Sequence, residues 1–401
     1  MQGEDIVISG FSAYFPQADH MVEFKQKLYA GVEMVTEDDL RWPPGYNDMP
    51  RVHGKIKDLS RFDAQFFSTH PKQAHVMDPQ LRLLLETSYE AILDAGYDPE
   101  TLRKRKIGVF IGNSSSETGE AFKLDRTKMD GYVILGSHRA MFSNRISYSL
   151  DLQGPSMTID TACSSTMVAL SEALLAIRSG RCEAAIVGGA GLTLDPHLMT
   201  NFNLLGILSK DGKSRPFDIK SVPYPSVIGH ESLLRDAYSE VNVDPTKVVY
   251  VEAHGTGTKA GGIQELEAIS NVICSPGREK SLLIGSVKSN MGHSESASGN
   301  MWCSSTLEDL MGKAFANITQ LTVIQTLNRI EAEGPYPDSG YALLNRIGQR
   351  SIKQFPYRGF AIVPVDNMKK EVVKVVERAR PEKRPICSNL SLSPSASHTP
   401  S

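Results

Sequence analysis

The sequence predicts a layered α/β fold, and three observations carry that prediction. Short apolar runs that end in glycine recur along the chain. Segments with helical spacing follow several of them, the alternation expected of α/β layers. Three of the runs lead directly into loops that carry Cys163, His254 and His293.

Ile6-Val7-Ile8, followed by Gly10, reads as a short buried strand ending in a turn. Residues 77–96 have helical periodicity through Leu84 and Leu85, with Pro79 suited to the first turn and Gly96 to the stop. Ile107–Gly112 is a second buried strand and Ser156–Asp160 a third, which runs straight into Thr161-Ala162-Cys163-Ser164-Ser165. Met167, Leu170, Leu174 and Ile177 then recur at helical spacing until Ser179-Gly180, and Ala184–Gly189 is the next strand. After Asp218 the pattern is less regular. Val248–Ala253 is a strand leading to His254-Gly255-Thr256-Gly257-Thr258, and Leu282–Val287 leads to Lys288-Ser289-Asn290-Met291-Gly292-His293. Beyond Gly299 the character changes, with a helix expected over 303–332 and a strand over 357–363. The Ser- and Pro-rich tail 388–401 reads as disordered.

At 401 residues the chain exceeds the size at which one core usually stops growing, which favours two domains or one large domain with an appendage. A net charge of −3 argues against coating nucleic acid or an anionic membrane. The basic run Arg103-Lys104-Arg105-Lys106 reads as solvated surface. The five cysteines, Cys163, Cys182, Cys274, Cys303 and Cys387, are far apart with no Cys-x-x-Cys pair. Neither a disulfide framework nor a zinc site is expected, and a reducing, cytoplasmic setting suits them. The N-terminus shows no basic leader, and no stretch approaches the ~18 apolar residues of a membrane span.

A cysteine at a strand end, opening a helix, sits where free N–H groups and the helix dipole favour a thiolate. Small neighbours at Ala162, Ser164 and Ser165 leave room for a substrate to approach the sulfur of Cys163. Each of these residues has a plainer reading: a buried thiol for Cys163, a satisfied structural histidine for His254 or His293, a surface lysine for Lys288. Two histidines at equivalent junctions, together with a helix-start cysteine, shift the balance towards chemistry. A neutral imidazole donates from Nε2–H, so the pair could stabilise an oxyanion formed beside the sulfur. Lys288, five residues before His293, could tune the site electrostatically.

Asp160-Thr161-Ala162-Cys163-Ser164-Ser165 resembles the nucleophile motif of the β-ketoacyl synthases. Glu252-Ala253-His254-Gly255-Thr256-Gly257-Thr258-Lys259 and Lys288-Ser289-Asn290-Met291-Gly292-His293 resemble that family's two histidine motifs, in the family's order. Met77-Asp78-Pro79-Gln80, Asn144-Arg145-Ile146-Ser147-Tyr148 and Gly154-Pro155-Ser156 agree. Arg41-Trp42-Pro43-Pro44-Gly45, Gly54-Lys55-Ile56-Lys57 and Phe62-Asp63-Ala64 resemble the animal fatty acid synthase branch. The resemblance implies a thiolase-like α-β-α-β-α fold, a homodimer and decarboxylative Claisen condensation. Cys163 would be acylated, while His254 and His293 would assist decarboxylation of a malonyl group. Glu265 stands where the family has the glutamate that pairs with the lysine, here Lys288. No cofactor is implied beyond the phosphopantetheine thioesters that an acyl carrier protein domain presents.

The same resemblance divides the chain into a condensing domain over 1–299, a linker-like region over 300–386 and a tail over 387–401. It also marks departures. An internal segment is expected to be absent near 219–222, where Arg215-Pro216-Phe217-Asp218 passes quickly to a later region, and Gly261-Gly262-Ile263 departs from the family pattern. The family's last strands, whose loop supplies an oxyanion N–H, have no counterpart after Gly299. Two other readings therefore stand beside the condensing enzyme. One is an impaired fragment that only binds acyl carrier protein or dimerises. The other is a thiolase-like acyltransferase acting on coenzyme A thioesters, against which the pair of histidines argues.

Overall fold

The computed structural model describes residues 6–125, 127, 130–215, 227–256, 261–274, 278, 281–299, 357–362 and 373–378. Nine strands occur among them: β1 Val35–Thr36, β2 His53–Gly54, β3 Ile107–Gly112, β4 Ser156–Ile159, β5 Ala184–Gly189, β6 Tyr250–Glu252, β7 Leu283–Gly285, β8 Tyr357–Ile362 and β9 Val373–Arg378. The first large unit is a parallel sheet in the order β4-β3-β5. Its middle strand, β3, is buried at every residue.

Side-chain alternation along β3 divides the core into two layers. Val109 and Ile111 face Leu81, Leu84, Leu85 and Ile92 of the helix Pro79–Asp94, with Phe142, Ile146 and Leu150 of the helix Met141–Leu150. Phe110 faces the opposite way, onto Ala169, Ala173 and Ala176 of the helix Ser165–Arg178. Those alanines lie one turn apart on one face and let that helix approach the sheet closely. The helix Pro79–Asp94 begins as the sequence suggests: Pro79 opens it and the Asp78 carboxylate accepts the Gln80 N–H at 2.8 Å.

The second unit is smaller. β6 and β7 pair in parallel, and the helix Gly261–Ile273 packs Ile269, Val272 and Ile273 against Val251, Ala253 and Ile284. β1 and β2 form an antiparallel pair, and β8 and β9 form another, in register from Tyr357 opposite Arg378 to Ile362 opposite Val373.

The strand expected at Ile6-Val7-Ile8 is not formed. Residues 6–14 join no ladder, and Val7 is 74% exposed. The segment is instead tethered to the helix Pro79–Asp94, where the Phe11 N–H reaches the Asp94 carboxylate at 2.8 Å and the Ser12 hydroxyl reaches Glu90 at 2.6 Å. An apolar run becomes a strand only where another strand lies beside it, and among the described residues none does.

The basic run is surface, as expected. Arg105 pairs with Glu183 at 2.9 Å, Lys106 donates to the Gly180 carbonyl, and Arg103 lies between Glu100 and Asp151. No helix among the described residues is long and apolar enough to cross a membrane. The helix expected over 303–332, the join near 219–222 and the tail 388–401 lie outside the described residues.

Candidate active site

β4 ends at Ile159, and the next five residues turn the chain into the helix Ser165–Arg178. Asp160 shapes that turn. Its carboxylate accepts the Ala162 N–H at 3.1 Å and pairs with Arg139 at 2.9 Å. Ser165 closes the turn from the other side, accepting the Thr161 N–H at 2.9 Å and donating to the Ala162 carbonyl at 2.6 Å. Ala162 is held at φ 54°, left-handed backbone that a residue with a Cβ rarely adopts. The strained turn presents the half-buried Cys163 at the mouth of the helix.

His254 follows β6. Glu265, on the helix Gly261–Ile273, accepts the N–H of His254 at 2.6 Å and of Gly255 at 3.0 Å, one on each carboxylate oxygen. That clamp fixes the loop and leaves the imidazole pointing at the cysteine, with His254 Nε2 4.0 Å from Cys163 Sγ.

His293 follows β7 and the short helix Lys288–Met291, after a glycine, Gly292, at φ 83°. Its loop docks on the end of β5 and on the helix Ser165–Arg178. Ser296 donates to the Ala190 carbonyl, and the Thr166 hydroxyl donates to the carbonyl of Ser296. A Cβ at Gly189 would lie 3.0 Å from the Ala297 Cα, so that docking requires glycine there. The His254 and His293 rings stand at 89° with centroids 5.8 Å apart. One ligand atom from each of Cys163, His254 and His293 falls within 4.8 Å of the others.

The tautomer of His293 decides what this cluster can do. Its Nδ1 accepts the Glu295 N–H at 2.8 Å, so the neutral ring carries its proton on Nε2. An Nε2–H is a donor for an oxyanion, and it is not a free lone pair for a metal. The three residues could otherwise hold a soft cation such as zinc, but the 4.0 Å from Cys163 Sγ to His254 Nε2 also exceeds the edge of a tetrahedron built on bonds of about 2.0–2.3 Å. Both rings are kept neutral. Burial, then the charge of Lys288, then His230 lower the His254 pKa to about 4. Burial, Lys288 and His254 lower that of His293 to about 3.

Lys288 is 1% exposed. Burial lowers its pKa to about 8, opposed by the negative charges of Glu252, Glu265 and Cys163. Glu252 is itself fixed, accepting the Val287 N–H at 2.7 Å and the Tyr250 hydroxyl. All five residues expected from sequence therefore meet: Cys163, His254 and His293 in direct range, Lys288 and Glu265 around them. Glu265 also has a part that sequence did not suggest, as the anchor of the His254 loop. Its place eleven residues after His254, inside a helix that returns to the loop, is the only hint of it. A cavity of about 2330 Å³ opens on the three residues and continues past Leu192, Phe202 and Ile186.

The beta-ketoacyl synthase N-terminal domain family matches residues 3–221, and the corresponding C-terminal domain family matches residues 211–321. The chain belongs to the beta-ketoacyl synthase family. The chain is 47% identical over 337 residues to the fatty acid synthase of the goose Anser anser anser, with 74% of this chain and 96% of that protein covered. It is 38% identical over 308 residues to a highly reducing polyketide synthase of Sordaria araneosa, covering 64% of this chain and 10% of that protein. Among solved structures it resembles the ketosynthase from module 6 of the bacillaene synthase of Bacillus subtilis 168, with a TM-score of 0.68 and 31% identity over 76% of this chain and 60% of that one. An oxazolomycin ketosynthase domain of Streptomyces albus JA3453 gives a TM-score of 0.70 at 28% identity, covering 76% and 62%. The chain thus spans under two thirds of the solved chains and about a tenth of the Sordaria polyketide synthase. Its fold is thiolase-like, as the motifs imply.

Proposed function

We propose that the chain acts as a 3-oxoacyl-[acyl-carrier-protein] synthase in fatty acid biosynthesis, with Cys163 as nucleophile and His254 and His293 as oxyanion donors. The observation that carries this is the His293 Nε2–H, fixed by the Glu295 amide and sharing one cluster with the sulfur. The Cys163 thiolate attacks the carbonyl of an acyl thioester; the carrier thiolate leaves, and an acyl-cysteine forms. A malonyl thioester then binds. Its carbon–carboxylate bond breaks, carbon dioxide departs, and the electron pair passes into an enolate whose oxygen accepts from the two imidazoles. The enolate carbon attacks the acyl-cysteine carbonyl, and collapse returns the thiolate to Cys163 with a chain two carbons longer. Neutral rings suit this role, because both remain donors throughout without giving up a proton.

In this reading Lys288 and Glu265 support the site, and the partners are an acyl carrier protein domain bearing phosphopantetheine thioesters and a second copy of the chain. The setting is the cytosol. The thiolase alternative needs a second reactive cysteine. Among the described residues, Cys182 is buried against Phe110 and the alanine face and Cys274 sits exposed at the end of the helix Gly261–Ile273, so neither reaches the cluster; Cys303 and Cys387 lie outside the described residues.

One observation favours the impaired-fragment reading of the same site. The goose alignment runs over 337 residues while using 74% of this chain, so stretches of that relative have no counterpart here. The two readings separate on incubating the protein with acyl and malonyl carrier protein and following carbon dioxide and 3-oxoacyl product. The condensing reading expects both; the fragment reading expects carrier-protein binding without product.

A further inference from the structure

Ser298 lies five residues after His293 and is 0% exposed. Its hydroxyl is 3.3 Å from His293 Nδ1. That nitrogen already accepts the Glu295 N–H and holds no proton, so in this longer contact the Ser298 hydroxyl is the donor and shares the one ring lone pair with the amide. The Ser294 hydroxyl in turn donates to Ser298 at 3.4 Å. The two hydroxyls form a relay with one direction, Ser294 to Ser298 to Nδ1. We propose that Ser298 is a positioning residue that, with Ser294 behind it, orients the His293 ring and keeps its proton on Nε2, facing Cys163.

The need for a second donor follows from the first one. Glu295, which supplies the amide, sits at φ 49°, left-handed backbone that a glutamate adopts only when its surroundings hold it there. A ring tethered through that turn alone could swing about its χ2 torsion, a broad and soft one. A buried hydroxyl on the following turn gives Nδ1 a second fixed partner. The sequence pattern Ser294-x-x-x-Ser298 places both hydroxyls on one side of the turn that carries Ala297 and Ser296 onto β5.

This inference rests on the reading of His293 as an oxyanion donor, and its test reads the ring directly. The full chain is labelled with ¹⁵N-histidine, and the His293 signal is assigned by its loss in His293→Ala. The unmodified protein should show Nε2 protonated and Nδ1 unprotonated with two hydrogen bonds. Ser298→Ala should move the Nδ1 resonance towards that of an unbonded nitrogen, and Ser298→Thr, which restores the hydroxyl, should move it back. Decarboxylation should fall about fivefold in Ser298→Ala, the worth of one hydrogen bond, with acylation of Cys163 within twofold. If Ser298→Ala does not fold, Ser294→Ala on the more exposed side of the relay should shift Nδ1 the same way by less. A wild-type His293 protonated on Nδ1, or an Nδ1 resonance unmoved by either alanine variant, would overturn the proposal. Shifts at Nδ1 in a chain that makes no 3-oxoacyl product would overturn the condensing function and leave the relay standing.

Discussion

Cys163 Sγ and His254 Nε2 lie 4.0 Å apart, although ninety-one residues separate them in sequence and different sheets deliver them. β4 supplies the cysteine and β6 the histidine, each at the end where its strand gives way to a loop. Within each parallel sheet the strands point the same way, so their loops gather at one edge, and here the edges of the two sheets meet. The clamp by Glu265 then sets how far the His254 loop reaches.

Removing Glu265 should therefore loosen His254 before it disturbs the fold. Glu265→Ala leaves two N–H groups without their acceptor, and hydrogen bonds to a charged group contribute about 1.5–3 kcal/mol each. Decarboxylation should fall by at least tenfold, with a smaller loss in melting temperature than a core substitution such as Phe110→Ala. Thermal melts alongside carbon dioxide release check both parts; an enzyme with unchanged decarboxylation would contradict the clamp.

The strained turn at Ala162 gives a second expectation. A β-branched residue is poorly suited to φ 54°. Ala162→Val should destabilise the protein by about 1–3 kcal/mol and slow acylation of Cys163, whereas Ala162→Gly should be at least as stable as the parent. Denaturant titration of the three proteins decides it, and equal stability of the valine variant would refute the strain.

Much of this site was legible in the sequence because its parts are local. A strand, a loop with a reactive side chain and a following helix are written within about fifteen consecutive residues, as from Ser156 to Leu170. Periodicity likewise anticipated the helix Pro79–Asp94, with Pro79 in its first turn. What was not legible depends on partners remote in sequence. Ile6-Val7-Ile8 has the composition of a strand, yet whether it becomes one depends on a neighbour's edge, and here the chain just after it is held by Asp94 and Glu90 through Phe11 and Ser12. The left-handed Ala162 was hidden in part for the same reason, since the Asp160 carboxylate that holds its N–H is itself paired with the remote Arg139.

The two imidazoles divide the chemistry in a way that mutation can expose. His254→Ala or His293→Ala should lower decarboxylation by about a hundred- to a thousandfold, the usual effect of losing one oxyanion donor. Cys163 should still accept an acyl group. Carbon dioxide release and acyl-enzyme formation are measured on the same preparations, and loss of acylation with decarboxylation spared would reverse the assigned roles.

Acid should weaken the fold through the same histidines. Their folded pKa values, about 4 for His254 and about 3 for His293, lie below the ordinary value of 6.5. The unfolded chain therefore binds protons first as pH falls. The stability tied to neutral rings is complete above about pH 6.5 and is lost as pH drops through 4 towards 3. Replacing both histidines with glutamine should flatten the fall in unfolding free energy over that window. An equally steep acid limb in the double variant would place the sensitivity elsewhere.

The most direct measurement is the mass of the Cys163 peptide during turnover. The protein is incubated with acyl carrier protein thioester, sampled, and then given malonyl carrier protein. The account predicts one acyl group on Cys163 and none on Cys182 or Cys274. On malonyl addition that group should disappear as carbon dioxide and a 3-oxoacyl product, longer by two carbons, form in equal amount. An unmodified Cys163, or an acyl-Cys163 that malonyl carrier protein does not discharge into product, would contradict it.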